Sequence, residues 1–198
     1  MSGPFHPTIR EAAATASTSR APPGLRSQLI LLDGRYFMTP ATILGEAQWR
    51  WLEEQLSQPA DLRILASPTP VLCEAERFEG WRHHPAERER LFALIGRSNG
   101  VVIVSGDSHV GAHYQRSAGL AYPLLELTAS SLNFPWPEET HAPPGPPDKA
   151  RVGPVLWEAN FGAVEIDWDR REVGLALYDD TGRLARAERI ALAALQAT

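Results

Sequence analysis

The sequence predicts an α/β layered fold that ends in an antiparallel meander. Two observations carry this prediction. Over residues 28–105, short apolar runs alternate with amphipathic stretches in the order strand, helix, strand, helix, strand, the rhythm of sheets layered with helices. Past residue 160 the rhythm gives way to apolar–polar alternation broken by a tight turn, which is hairpin patterning.

Gln28-Leu29-Ile30-Leu31-Leu32-Asp33 is a short continuous apolar run ending in a carboxylate and Gly34. Its continuity suits a strand buried on both faces. Over Leu44 to Leu56, Trp49, Leu52 and Leu56 recur at i, i+3 and i+7, one apolar stripe of a helix bounded by Pro59. Leu62 to Ala66 reads as a second strand, stopped by Ser67-Pro68-Thr69-Pro70. Pro85 marks the first turn of a second helix, with Leu91, Leu94 and Ile95 on its buried side and Gly96 as its terminator. Gly100 to Ser105 and Tyr122 to Thr128 are further strands. Seven prolines between Phe134 and Pro154 predict a loop without regular structure. Gly162, Val164, Ile166 and Trp168 then alternate with Ala163, Glu165 and Asp167, and Asp179-Asp180-Thr181-Gly182 turns Glu172–Tyr178 into Arg183–Leu192.

The chain of 198 residues, 43% of them apolar with a mean hydropathy of -0.24, has room for one globular domain with its own core. No run approaches the roughly 18 apolar residues of a membrane span, so no membrane partner is expected. A net charge of -5 argues against nucleic acid, because phosphate neutralisation needs a basic surface. Cys73 is the single cysteine, which excludes an internal disulfide and a cysteine-based zinc cluster. Residues 1–26 are rich in Ala, Ser, Thr and Pro without periodicity and are expected to be a disordered leader. They show no apolar signal core and no twin arginine, so the location expected by default is cytoplasmic.

Chemistry concentrates at Ser105-Gly106-Asp107-Ser108-His109, immediately after a buried strand. Layered α/β folds bind ligands outside the carboxyl ends of their strands. Gly106 lets the chain bend there, and a carboxylate with an imidazole suits a first-row metal. Two ligands do not make a site. Ordinary turn and surface roles for Asp107 and His109 remain the alternative. His113 is a further loop candidate, while His83 and His84 are expected on the surface before a helix.

Several segments, taken in order, resemble the alkaline phosphatase D (PhoD-like) family of the calcineurin-like metallophosphoesterase superfamily. They are Leu32-Asp33-Gly34-Arg35-Tyr36-Phe37; Leu44-Gly45 with Gln48, Trp51, Leu52 and Leu56; Ser67 to Leu72; Glu79-Gly80-Trp81; and Pro85 with Glu87, Arg88, Arg90 and Leu91. Ser105 to His109, at the family's Gly-Asp-x-His motif, Glu126 to Ser131 and Asn160-Phe161-Gly162 complete the order. The resemblance runs from residue 28 to about 185 and identifies residues 27–198 as the C-terminal part of such a domain. It implies a two-sheet core flanked by helices and a dinuclear centre of Fe, Mn, Ca or Zn at the sheet edges. It further implies hydrolysis of phosphate esters by a metal-bound hydroxide. Asp107 and His109 would then be metal ligands, or one a ligand and the other a residue behind it. Arg35 and Arg88 would stabilise phosphate or anchor the fold.

The chain departs from the family in one respect. The superfamily's Asp-x-His, Gly-Asp-x-x-Asp and Gly-Asn-His-Asp/Glu motifs precede the Leu-Asp-x-Arg strand, and none occurs ahead of Leu32 here. Two readings follow. In one, the chain is an incomplete half of a metal-dependent phosphoric ester hydrolase, completed by an N-terminal half or a second copy. In the other, it is a truncated or degenerate member serving as a non-catalytic binding or structural module.

Overall fold

Apolar runs without polar alternation need cover on both faces, and this fold sets four of them side by side. The computed structural model describes residues 25–75, 79–141 and 148–197. Its elements are β1 (Ser27–Leu31), α1 (Gly45–Ser57), β2 (Leu62–Ser67), α2 (Pro85–Ile95), β3 (Val101–Ser105), β4 (Gly111–Arg116) and β5 (Leu124–Ala129). The short α3 (Glu138–His141), β6 (Arg151–Leu156), β7 (Asn160–Asp167), β8 (Glu172–Asp179) and β9 (Leu184–Ala191) follow. The first sheet has the order β1-β2-β3-β5-β4-β6. Its first four strands in that order are parallel, and β4 runs antiparallel to both neighbours. The second sheet is the expected meander, β7-β8-β9.

Both helices form where the apolar stripes predict them. α1 buries Gln48, Trp49, Leu52 and Leu56, and α2 buries Arg88, Leu91, Phe92 and Ile95 with Pro85 in its first turn. Gly96 does end α2, but at φ -61, a right-handed conformation that any residue can adopt.

Strand register sorts the sheet into rows that alternate between its faces. Ile30, Leu65 and Ile103 share a row and are fully buried. The next row runs Leu31, Ala66, Val104, Leu127, and its burial rises along it, from Leu31 at 58% exposed to Leu127 at 2%. The cause is the meander, which covers only the β5 and β4 side of that face. A Cβ on Gly162 would meet the Leu127 side chain at 2.8 Å, and one on Gly111 the Leu177 side chain at 2.8 Å. A cavity of about 350 Å³ remains between the sheets, lined by Ala66, Val104, Leu127 and Val164 among others.

Two expectations are corrected, and a third falls almost wholly outside the described residues. His113 lies in strand β4, not in a loop, and is buried. The proline-rich segment contains α3 and strand β6, which begins at Arg151 and includes Pro154. β6 is an edge strand, a position in a sheet where a missing N–H is tolerated. The leader expected over residues 1–26 lies outside the described residues as far as residue 24. Arg26 is already tied down, donating its N–H to Asp61 Oδ2 at 2.9 Å and accepting the Asp61 N–H at 2.9 Å.

Candidate active site

The carboxyl ends of the parallel strands gather the residues singled out in the sequence. At the exit of β1, Asp33 Oδ1 accepts the backbone N–H groups of Arg35 and Tyr36, both at 2.9 Å, closing a turn on itself. Gln48 of α1 clamps the backbone of the same residue. Its Nε2 donates to Asp33 O at 2.7 Å and its Oε1 accepts the Asp33 N–H at 2.8 Å. The Leu-Asp-Gly-Arg run and the Leu-Gly-x-x-Gln helix start are therefore one device, which fixes where Arg35 points.

At the exit of β3 the chain makes two sharp departures. Asp107 has φ 65 and His109 has φ 54. Left-handed backbone costs a non-glycine residue roughly 1 kcal/mol, and it persists where the surroundings impose it, characteristically at functional sites. Here the constraint comes from the end of β5. Ser130 Oγ accepts the Ser108 N–H at 3.1 Å and itself donates to Val110 O at 3.4 Å. Asp107 is left exposed, with its Oδ2 3.3 Å from Arg35 Nη2. Arg35 also pairs with Glu79.

His109 is oriented by the segment that follows β5. Its Nδ1 lies 2.8 Å from the carbonyl oxygen of Phe134. A carbonyl can only accept, so Nδ1 carries the proton and the Nε2 lone pair is left over in the neutral ring. The indole of Trp136 stacks on the imidazole, with centroids 4.6 Å apart and planes at 5°, and the Phe134 ring meets it edge-on at 5.3 Å. An imidazole with Nδ1–H on a carbonyl and Nε2 open is the arrangement of a metal-ligating or proton-accepting histidine.

The other candidates are spent on the scaffold. Arg88 is 7% exposed and donates to Leu72 O at 3.0 Å and to Glu74 at 2.8 Å, so its guanidinium holds the 72–74 segment. His113 hydrogen-bonds Leu175 O of β8 at 2.9 Å through Nε2, and burial depresses its pKa. Among the described residues, no three His, Cys, Asp or Glu side chains cluster as a metal site would require. Asp107 and His109 are two potential ligands, and no third described side chain of these types joins them.

Three groups escaped the sequence reading. Glu79 reaches Arg35 from a distant segment, with only its place beside Gly80-Trp81 as a hint. Phe134 and Trp136 carried no signal within a proline-rich loop. Glu126 was read as a strand residue opening the Glu126–Ser131 segment, with no role of its own, yet it is completely buried. It accepts the N–H groups of Val71 and Leu72 and the hydroxyl of Ser105 at 2.9, 2.5 and 2.6 Å. Burial raises its pKa against the pull of those donors. Its effect is to tie the 71–72 segment to the residue that launches the Gly106–His109 turn.

Comparison with known proteins shows the family and the fold. The family model of PhoD-like phosphatases matches residues 27–177, and the chain belongs to that family. The fold also resembles solved structures at low identity. A structure of PhoD is 15% identical with a TM-score of 0.61, covering 81% of this chain and 42% of its own. GAP50, the anchor in the inner membrane complex of Plasmodium, is 15% identical with a TM-score of 0.65, covering 84% of this chain and 50% of its own. A purple acid phosphatase from yellow lupin (Lupinus luteus) seeds is 13% identical with a TM-score of 0.63, covering 84% and 31%. The chain therefore spans half or less of the length of these structures. No curated protein matches by sequence.

Proposed function

We propose that this chain contributes one side of the active site of a metal-dependent phosphoric ester hydrolase of the alkaline phosphatase or phosphodiesterase type. The observation that carries the reading is His109, whose Nδ1–H is committed to Phe134 O while Nε2 stays open, two residues from an exposed carboxylate. Asp107 and His109 are two of the metal ligands. The rest come from an N-terminal half or a second copy, seated against the bare part of the sheet face where Leu31 is exposed. A bound Fe, Mn, Ca or Zn would acidify a water and neutralise charge on the phosphoryl oxygens. Arg35, held beside Asp107, is the phosphate-facing cation of this chain. Arg88, buried on Leu72 O and Glu74, has an anchoring role instead.

The second reading, a non-catalytic module, draws on the absence of a three-residue metal cluster among the described residues and on the likeness in fold to GAP50, itself an anchor. One assay separates the two. The chain is co-expressed with the N-terminal half of a PhoD-like enzyme, and hydrolysis of bis-p-nitrophenyl phosphate is followed with each metal, beside Asp107→Ala and His109→Ala. Metal-dependent turnover lost in both variants is expected. A folded complex without turnover, or turnover untouched by either substitution, would favour the module.

A further inference from the structure

Resting on the phosphoester reading of this edge, we infer that the segment over residues 132–137 selects the alcohol side of the substrate and favours a planar aromatic group. The segment is held by its main chain. Ser131 O accepts the Asn160 N–H at 3.2 Å, His109 O accepts the Trp136 N–H at 3.2 Å, and Phe134 O accepts His109 Nδ1–H at 2.8 Å. Pro135 and Pro137 flank Trp136, and each ring fixes φ. Yet the side chains of a segment so firmly placed are not buried: Leu132 is 66% exposed and Phe134 59%.

Rigid backbone with outward apolar side chains is the preorganised form of a binding surface, since little freedom is lost when a ligand covers it. The position of this surface decides what covers it. Phe134 stands edge-on to the His109 ring, while Arg35, from the exit of β1, pairs with Asp107 at the exit of β3 and with Glu79. Charge at Asp107 and an exposed aromatic ring against His109, two residues on, match a molecule with a phosphoryl head and a flat apolar body. A sugar or polyol ester would set hydroxyls against Leu132 and Phe134 and leave their surface unpaired. An aromatic ester buries it in the offset or edge-on contacts that aromatic rings prefer.

The test is calorimetric titration of the complex of this chain with the co-expressed N-terminal half, in manganese chloride, with phenylphosphonate and with methylphosphonate, neither of which carries an ester to hydrolyse. Phenylphosphonate is expected to bind about tenfold tighter, the scale set by burying one ring face. Phe134→Ala keeps the carbonyl that orients His109, and should bring the two affinities together; Leu132→Ala should narrow the gap. Equal affinities in the unchanged chain, or a gap that survives both substitutions, would overturn the selectivity and leave the phosphoester site standing. No binding of either ligand to the folded complex would overturn the site itself, and the selectivity with it.

Discussion

Two carboxylate–imidazole sets lie along the strands after α2, and they are used in opposite ways. Glu126 and His113 sit inside the sheet, the first under three donors and the second on Leu175 O. Asp107 and His109 sit at the edge, the first on a single 3.3 Å contact to Arg35 and the second with one ring nitrogen engaged. Even the rings are mirror cases: His113 spends Nε2 and His109 spends Nδ1. A polar side chain enclosed in the sheet is scaffold, as His113 is with its Nδ1 buried and unbonded, and one held in place at the exposed edge can do chemistry. The residue type alone does not distinguish them.

The strongest way to break this contrast is Glu126→Ala. It leaves the buried N–H groups of Val71 and Leu72 and the Ser105 hydroxyl without their acceptor, and should cost about 4 kcal/mol in urea unfolding. A loss no larger than that of a surface substitution would mean the buried carboxylate is not structural. Next comes the histidine pair. His113→Ala should cost about 3 kcal/mol, from lost packing and the abandoned Leu175 carbonyl, and His109→Ala under about 1 kcal/mol. Similar values for the two would erase the distinction drawn here.

Acidity sharpens the contrast further. Burial holds the His113 pKa below its ordinary value of 6.5, so the unfolded chain takes up its proton first. Its stabilising contribution is whole above pH 6.5 and falls as the pH drops through that value toward the folded pKa, by at most about 1.4 kcal/mol per pH unit. Glu126, with a raised pKa, has the opposite sign: its contribution is whole below about pH 4.5 and is lost as the pH rises through the folded value. As the pH is lowered from 7 to 5, the unchanged chain should lose stability relative to His113→Gln, so that the gap between the two profiles changes with acid. Parallel profiles would show that His113 is not held neutral. The smallest effect is Asp107→Gly, which relieves the left-handed backbone at φ 65 and should raise stability by about 0.5–1 kcal/mol. A destabilised variant would mean that the carboxylate supports the fold.

Most of the frame was legible because its signals are local. Continuous apolar runs marked β1, β2 and β3, the i, i+3, i+7 stripe marked α1, and the Asp179–Gly182 turn marked the meander. Strand β4 was not legible. Its sequence, Gly-Ala-His-Tyr-Gln-Arg, is neither continuously apolar nor alternating, and it is a strand because β5, β6 and the meander surround it. Pro154 hid β6 for the related reason that its edge position tolerates a proline. In the site, Gly-Asp-Ser-His stood out because a glycine and two potential ligands follow a confident strand. The salt links of Arg35 to Asp107 and Glu79, and the clasp of His109 by residues 134–136, join segments far apart in sequence, and no periodicity records them.

The division between a parallel sheet and a meander also sets an order in time. Strands β7, β8 and β9 are joined by short turns, so their pairings close small loops and form quickly. In β1 and β2 the register partners are Ser27 and Leu62, and a helix must be threaded between them before any ladder bond forms. The meander is the last part of these elements to be synthesised and the first able to assemble. Until it arrives, Leu127 and Ala129 lack the cover of Gly162, so a nascent chain holds its parallel strands open to wrong partners. Chaperone demand during synthesis should therefore fall when the codons for residues 160–191 have been read.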